Sequence, residues 1–534
     1  MFGRVFGGAT AYPKAQGIWR DDERSGAVSA TSGYFGAMTP QRIEWKPWGR
    51  AAATRVLDVS DSPCYGNLVP GSSNVGDADV RVFEKSFAGR VICARDVDYD
   101  DARAVWNRMI DRRPALIARC ANTDDVIRAL RFCRDHDLLI SVRGGGHNVS
   151  GNAVVDGGLM IDLSAMKATR VDPGRRVIVT DPGLTWKDFD LTTLPFGLAT
   201  TGGIISSTGV AGLTLGGGHG WLMRRHGLTC DNLLSVQLIT ADGRLVSARA
   251  DENPDLFWGV RGGGGNFGIV TSFEFRLHPV TTVLAGFVLY PLPRAREVFR
   301  VYRECVAAAP DELTAALLIT TWSDGTPAIA VVVCHSGDLG VGERLVRPVR
   351  NLGGPIADTI RRMSYAELQT MFDATNPPGP WYYRTGYLTS EKVLGDDFVD
   401  LLLAQTNFPS PSPLSRIFIE HLGGAVARVP ADATAFVHRP APFDLIVIAG
   451  GFRPQETEKN FTWARGVSSA MRPFMSGGAY VNYLGADADA DAVRAAYGLA
   501  WDRLVALKTK YDPDNVFRLN QNIRPATPTR TPPR

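Results

Sequence analysis

Two apolar runs, residues 138–142 and 159–163, are separated by RGGGHNVSGNAVVDGG, and this interval constrains the fold more than any other part of the chain. Both runs read as short buried strands. A glycine loop after a strand suggests a dinucleotide fingerprint, but that fingerprint opens a helix inside a βαβ unit of about thirty residues. Here the next strand arrives too soon for a crossover helix of about a dozen residues. The glycines therefore read as a strand-to-loop cradle. Glycine reaches positive φ without a Cβ clash and leaves successive N–H groups free to face phosphate oxygens. His147 closes the triplet Gly144, Gly145 and Gly146, with Arg143 before it and Asn148 and Gly151 after it.

A chain of 534 residues exceeds one typical core, so two or three structural units are expected. Its 58 basic and 55 acidic residues are well mixed and leave a net charge of +3. That provides no basic stripe for nucleic acid or an anionic membrane, which leaves a small molecule as the expected partner. Seven cysteines without CxxC spacing suggest neither a disulfide framework nor a metal site. Cys133 and Cys230 read as packed thiols. No apolar run approaches the length of a membrane span, and residues 1–24 lack an apolar h-region and a twin-arginine pair, so the default location is cytoplasmic. The sequon Asn148–Ser150 lies inside the glycine loop and reads as coincidence.

Residues 1–83 are rich in Gly, Ser, Ala and Pro and read as a disordered extension or an over-long start assignment. From Glu84 an α+β unit runs to about 168, with Asn122 capping a helix whose Val126, Ile127, Leu130 and Cys133 share a face. A second unit, 169–280, contains a hairpin (235–240 and 245–248), a helix opened by Asn253-Pro254, and the clearest strand. In that strand Ile269, Thr271, Phe273, Phe275 and Leu277 alternate with Val270, Ser272, Glu274 and Arg276. A third region, 281–474, has apolar strands at 328–334, 417–421 and 445–449 and a helix at 294–306. The chain then runs through a helix at 491–510 and a final segment to 525, and residues 526–534 read as a disordered tail.

Three further segments carry chemistry. The first is STGVAGLTLGGGHGWLMRRHGLTCDNL (207–233), the second RGGGGNFGIV (261–270), and the third the pair AYVNYLGAD and NVFRLNQNIRP near the end. Together with RGGGHN, these resemble berberine-bridge-enzyme-like FAD-linked oxidases of the vanillyl-alcohol-oxidase type, over roughly residues 84–525. The resemblance implies a two-part PCMH-type FAD-binding domain (84–280), an α/β substrate domain with a mainly antiparallel sheet (281–474), and a C-terminal berberine-bridge segment (475–525) folding back onto the FAD domain. It also implies covalent attachment of the flavin to His147. Ile205 stands where doubly attached relatives carry cysteine, so attachment is expected through His147 only. Thr208 falls at the position controlling oxygen access and is small, so oxygen admission is expected. The resemblance places Gly209, Gly212, Gly216, Gly217, Gly218 and Gly220 along the flavin, with Gly268, Ile269, Val270, Asn520 and Asn522 as further contacts.

Removing a hydride from a C–OH or C–N centre requires a neighbour for the proton. Tyr480 and Tyr483 are the first choices by position in the family motif, read as residues of a strand, with Asn482 beside them. Glu420, amid Ile417, Phe418, Ile419 and Leu422, is the other, unless it pairs with a nearby arginine. Tyr383, Arg384 and His438 could line the pocket or serve the sheet, and the loops between 364 and 413 are expected to set specificity. The implied activity is an oxidase passing electrons to O2 to give H2O2. A flavin dehydrogenase, an oxidative-cyclisation enzyme of secondary metabolism and an inactive flavin-binding protein are the alternatives. No GxSxG, HExxH or Walker lysine motif supports a hydrolase.

Overall fold

The apolar runs flanking the glycine loop form strands Ile140–Arg143 and Leu159–Asp162, which are adjacent and parallel, in register from Ile140 with Leu159 to Arg143 with Asp162. The computed structural model describes residues 75–406 and 411–526. No helix joins the two strands, so the parallel crossover is the loop 144–158 itself. Strand Leu116–Arg119 lies parallel on the far side of Leu159–Asp162, and Arg90–Ile92 adds an antiparallel edge.

Helix Thr123–Asp135 starts at its expected cap, where Asn122 Oδ1 accepts the Asp125 N–H at 3.0 Å. It buries Val126, Ala129, Leu130 and Cys133, whereas Ile127 is only half-buried. The first 74 residues of the expected extension lie outside the described residues. The remainder corrects the boundary at 84: Asp77–Ser86 is a helix, and Val80 and Phe83 are its only buried side chains. Only two of the apolar residues in this charged decamer are buried, which leaves little periodicity to read. Phe83 nevertheless stacks on Phe132 at 4.5 Å and fixes this helix to helix Thr123–Asp135.

The second sheet is antiparallel, in the order Thr169–Asp172, Val177–Thr180, Ile269–Arg276, Leu233–Ile239, Leu245–Arg249. Its central strand is the alternating one, and it buries Phe273 and Phe275. Gly243, at φ 84°, makes the hairpin turn between the last two strands. The third sheet has eight strands, all antiparallel. Strands Arg416–His421 and Phe443–Gly450 are adjacent toward one side of the sheet, with Trp381–Leu388 at the edge beyond. Leu445, Val447 and Ala449 face one core cluster while Ile446 and Ile448 face another, which is why this strand reads as unbroken hydrophobic sequence.

The expected helix 491–510 is two helices, Ala490–Tyr497 and Trp501–Tyr511, broken after Gly498 at φ 48°. Lys508, fully buried, donates to Asp512 at 2.7 Å and to the carbonyls of Asn266 and Phe517 at 2.9 Å. The returning segment is then stitched to Asn266, which donates to Gln521 O at 3.1 Å and accepts from Ile523 N at 3.0 Å. Among the described residues no helix is long and apolar enough to cross a membrane.

Candidate functional site

In the first glycine loop Gly146 sits at φ 68°, and Gly145 passes so close to Gly209 that a Cβ on it would lie 2.5 Å from the Gly209 backbone. The first two glycine-rich segments therefore meet backbone to backbone. His147 Nε2 lies 3.3 Å from Ser207 Oγ, and its ring stacks on Trp106 at 4.2 Å. Burial lowers the imidazole pKa to about 4, so at neutral pH it is uncharged and keeps a lone pair.

Among the described residues the N–H groups of Gly144, Gly145, Gly146 and Asn148 have no acceptor. Arg143 Nε at the loop and Asn520 Oδ1 and Asn522 Oδ1 in the final segment are buried polar atoms without a hydrogen-bond partner, the first 3.9 Å from Asp162. Gln521 Nε2 reaches Ser150 Oγ at 3.4 Å, which ties the final segment to the loop. A row of unpaired amides beside unpaired side-chain donors and acceptors is what a dinucleotide's phosphates and ring edges would satisfy. These residues fit FAD. Arg143 also serves the scaffold, donating to Ala102 O at 2.5 Å, while Asn148 Oδ1 accepts from Ser150 and Asn152 within the loop. Gly151 and Gly268 are packing glycines: a Cβ would meet Ile110 and Ile239 respectively. Ile269 and Val270 are buried in the second sheet, and Thr208 is half-buried.

The second triplet is closed against protein. A Cβ on Gly216 would meet Asn482, on Gly217 Phe436, on Gly218 Thr229, and on Gly220 the Gly202 carbonyl at 1.6 Å. Gly212, by contrast, has nothing within 4 Å of that position. Gly218 N–H donates to Tyr480 Oη at 2.7 Å, and Asn482 Nδ2 donates to the same oxygen at 2.8 Å.

Tyr480 and Tyr483 do not lie in a strand. Val481–Tyr483 is a 3₁₀ turn, whose three-residue repeat brings the two rings edge to face at 4.8 Å. Burial raises both phenols well above their ordinary range. Tyr480 stacks flat on His219 at 3.9 Å and 7°. His219 Nδ1 is in turn 3.0 Å from Glu420 Oε2, so the partner of Glu420 is a histidine and not an arginine. His219 follows its glycine triplet as His147 follows the first, the one sequence signal that could have drawn attention to it.

An aromatic wall joins the two histidines. Trp106, already against His147, meets Trp381 at 5.0 Å and Tyr383 at 6.4 Å; Tyr383 meets Tyr483 at 6.0 Å; Tyr483 meets His219 at 6.2 Å. Tyr383 belongs to this wall, its phenol pushed up to about 12 by burial. Arg384, one residue on, points to the opposite face and pairs with Asp487 at 3.3 Å. His438 donates to Ala496 O at 2.8 Å and packs on Tyr387, so it serves the fold. Much of the expected specificity region is regular structure, strand Trp381–Leu388 and helix Asp396–Gln405, while 407–410 lie outside the described residues.

Residues 114–249 match an FAD binding domain, and residues 479–524 match the berberine and berberine-like domain. The chain is 32% identical over 450 residues to an FAD-linked oxidoreductase of Dictyostelium discoideum, covering 84% of this chain and 97% of that one. It is 31% identical over 462 residues to (R)-6-hydroxynicotine oxidase of Paenarthrobacter nicotinovorans, covering 82% and 97%. The crystal structure of 6-hydroxy-D-nicotine oxidase from Arthrobacter nicotinovorans has a TM-score of 0.74 to this structure at 30% identity, over 82% of this chain and 98% of that one. With the glycine cradle, the returning C-terminal segment and these likenesses together, the chain belongs to the berberine-bridge-enzyme-like family of FAD-linked oxidoreductases.

Proposed function

We propose that this protein is an oxidase of a small organic substrate, with FAD carried covalently on His147. The observation supporting it is the aromatic wall that runs from His147 to the Glu420–His219 pair. Bound FAD would supply the two-electron acceptor, taking a hydride from a C–OH or C–N centre and passing both electrons to O2 to give H2O2. The chain's own residues handle the remaining proton. A phenol held protonated by burial cannot accept one at neutral pH, which disfavours Tyr480 and Tyr483 as bases. Tyr480 Oη is in addition occupied by the Gly218 and Asn482 donors, so its work is to hold the C-terminal segment. Glu420 then takes the proton, while Tyr483 and Tyr383 shape the wall against which the substrate lies. Neutral His147 has the lone pair that attachment requires. The small Thr208 admits oxygen, and the likeness to a nicotine oxidase supports oxidase over dehydrogenase.

The test is acid precipitation of wild type beside His147→Ala. Yellow colour staying with the wild-type pellet and leaving with the mutant's supernatant is expected. Colour in both supernatants removes covalent attachment, and substrate turnover without oxygen uptake makes the protein a dehydrogenase.

A further inference from the structure

A second carboxyl stands beside Glu420 for which proton transfer, as described, has no use. Asp444 is directly opposite Glu420 in the register of two antiparallel strands and is fully buried. Like charges so placed repel. Between them stands one group, His219, whose Nδ1 is 3.0 Å from Glu420 Oε2 and 3.9 Å from Asp444 Oδ2. Its ring lies flat against Tyr480. Thr385 Oγ1 donates to Asp444 Oδ1 at 3.0 Å, but Asp444 Oδ2 and His219 Nε2 are buried without hydrogen-bond partners.

No lysine or arginine pairs with either carboxyl among the described residues. The edge strand presents Tyr383 and Tyr387, the C-terminal turn Tyr480 and Tyr483, and helix Ala295–Ala307 contributes Tyr302, all phenols raised by burial. His438 lies behind Tyr387. His421, next along the strand, faces away and meets Arg224 at 3.0 Å. Arg439 is taken by Asp231. Two carboxylates in so dry a place cannot both be charged.

We propose that Glu420 and Asp444 share one negative charge and one proton, with Asp444 as the acid and His219 fixing the charge on Glu420. Burial and the charge of Glu420 hold the Asp444 carboxyl well above the usual carboxylate range, in keeping with this. Asp444 and His219 are then positioning residues that set the strength of the base, an inference that rests on the reading of Glu420 as proton acceptor. When substrate reacts, its O–H or N–H bond breaks and an O–H bond forms on Glu420. The pair goes from one proton to two and from one negative charge to none.

The experiment needs no substrate: infrared spectra of the purified full-length protein at neutral pH and matched flavin content, each variant minus wild type, read at the C=O stretch of a protonated carboxyl. Asp444→Asn should lose one carboxylic acid relative to wild type. His219→Phe, which keeps the stacked ring but removes the donor, should gain one, because the unpinned charge takes up a proton. His219→Asn, with an amide N–H in place of Nδ1–H, should restore the wild-type band, which a merely structural role for His219 does not predict. Asp190, raised to about 7, adds the same background to every spectrum and cancels. An unchanged band in Asp444→Asn overturns the proposal, as does an unchanged band in His219→Phe should Asp444→Asn fail to fold. One equivalent of divalent metal in wild type that Asp444→Asn loses also overturns it, since the three ligand atoms lie within 4.8 Å of one another and would then be a cation site. The base assignment is tested separately: Glu420→Gln should slow flavin reduction by substrate on the order of 10²–10⁴-fold, and an unslowed variant removes it whatever the infrared shows.

Discussion

The tetrapeptide Gly-Gly-Gly-His occurs at 144–147 and again at 216–219, and the structure gives the two copies opposite uses. The first follows a strand end and stays open, with amides unpaired and a half-buried histidine beside Trp106. The second is closed against protein, its three glycines required by Asn482, Phe436 and Thr229 and the following Gly220 by the Gly202 carbonyl, with its histidine buried against Glu420. Glycine in the first copy lets Gly145 meet the Gly209 backbone and also leaves amides without acceptors; in the second it serves only to let the chain touch itself. A local pattern therefore tells where backbone comes close to something, and only the fold tells what that something is.

The contrast can be broken most sharply at Gly220. Ala there would place a carbon 1.6 Å from the Gly202 carbonyl oxygen, and no flexible side chain can give way. Gly220→Ala is expected to cost more than about 4 kcal/mol and to yield little soluble protein, seen as loss of the cooperative thermal transition. A near-wild-type Tm would show that the second segment is not sealed.

A smaller effect tests the region behind that seal, where Asp190 is fully buried and accepts from Gln369 at 3.0 Å. Its folded-state pKa, raised by burial to about 7, lies above its unfolded value, so its stabilising contribution is complete below about pH 4 and disappears as pH rises through 7. Wild type should lose about 1.4 kcal/mol relative to Asp190→Asn between pH 6 and pH 8, measured by denaturant unfolding. Parallel curves for the two proteins would remove the assignment.

The smallest expected effect has the opposite sign. Gly212 lies in helix Val210–Leu215 with no atom near a Cβ, so in the His147→Ala background, freed of flavin, Gly212→Ala should gain about 0.5–1 kcal/mol. Flavin content before removal should fall, because the vacant space is then cofactor space. Unchanged content would assign the opening to something else.

Much of this was legible in the residues. The alternation from Ile269 and the Asn122 cap obey local rules, and the short spacing from 143 to 159 already excluded a crossover helix. Asp444 was illegible for a physical reason: in FDLIVIAG it is one carboxyl in an otherwise apolar strand, and its meaning comes from Glu420 across the register and His219 from another segment. The aromatic residues of AYVNYLGAD suit a strand, whereas the chain turns there to bring the Tyr480 and Tyr483 rings together. Arg384 and Tyr383 are neighbours with separate fates, since pleating sends successive side chains to opposite faces.

The bond from Gln521 to Ser150 joins positions 371 residues apart, and that from Ile523 to Asn266 joins positions 257 apart. During synthesis, the open glycine loop and its histidine leave the ribosome long before the strand of chain that completes their surroundings. Contacts of such sequence separation form slowly and late. The surroundings that would hold a flavin at the loop are accordingly complete only once the C-terminal segment has been made and has docked.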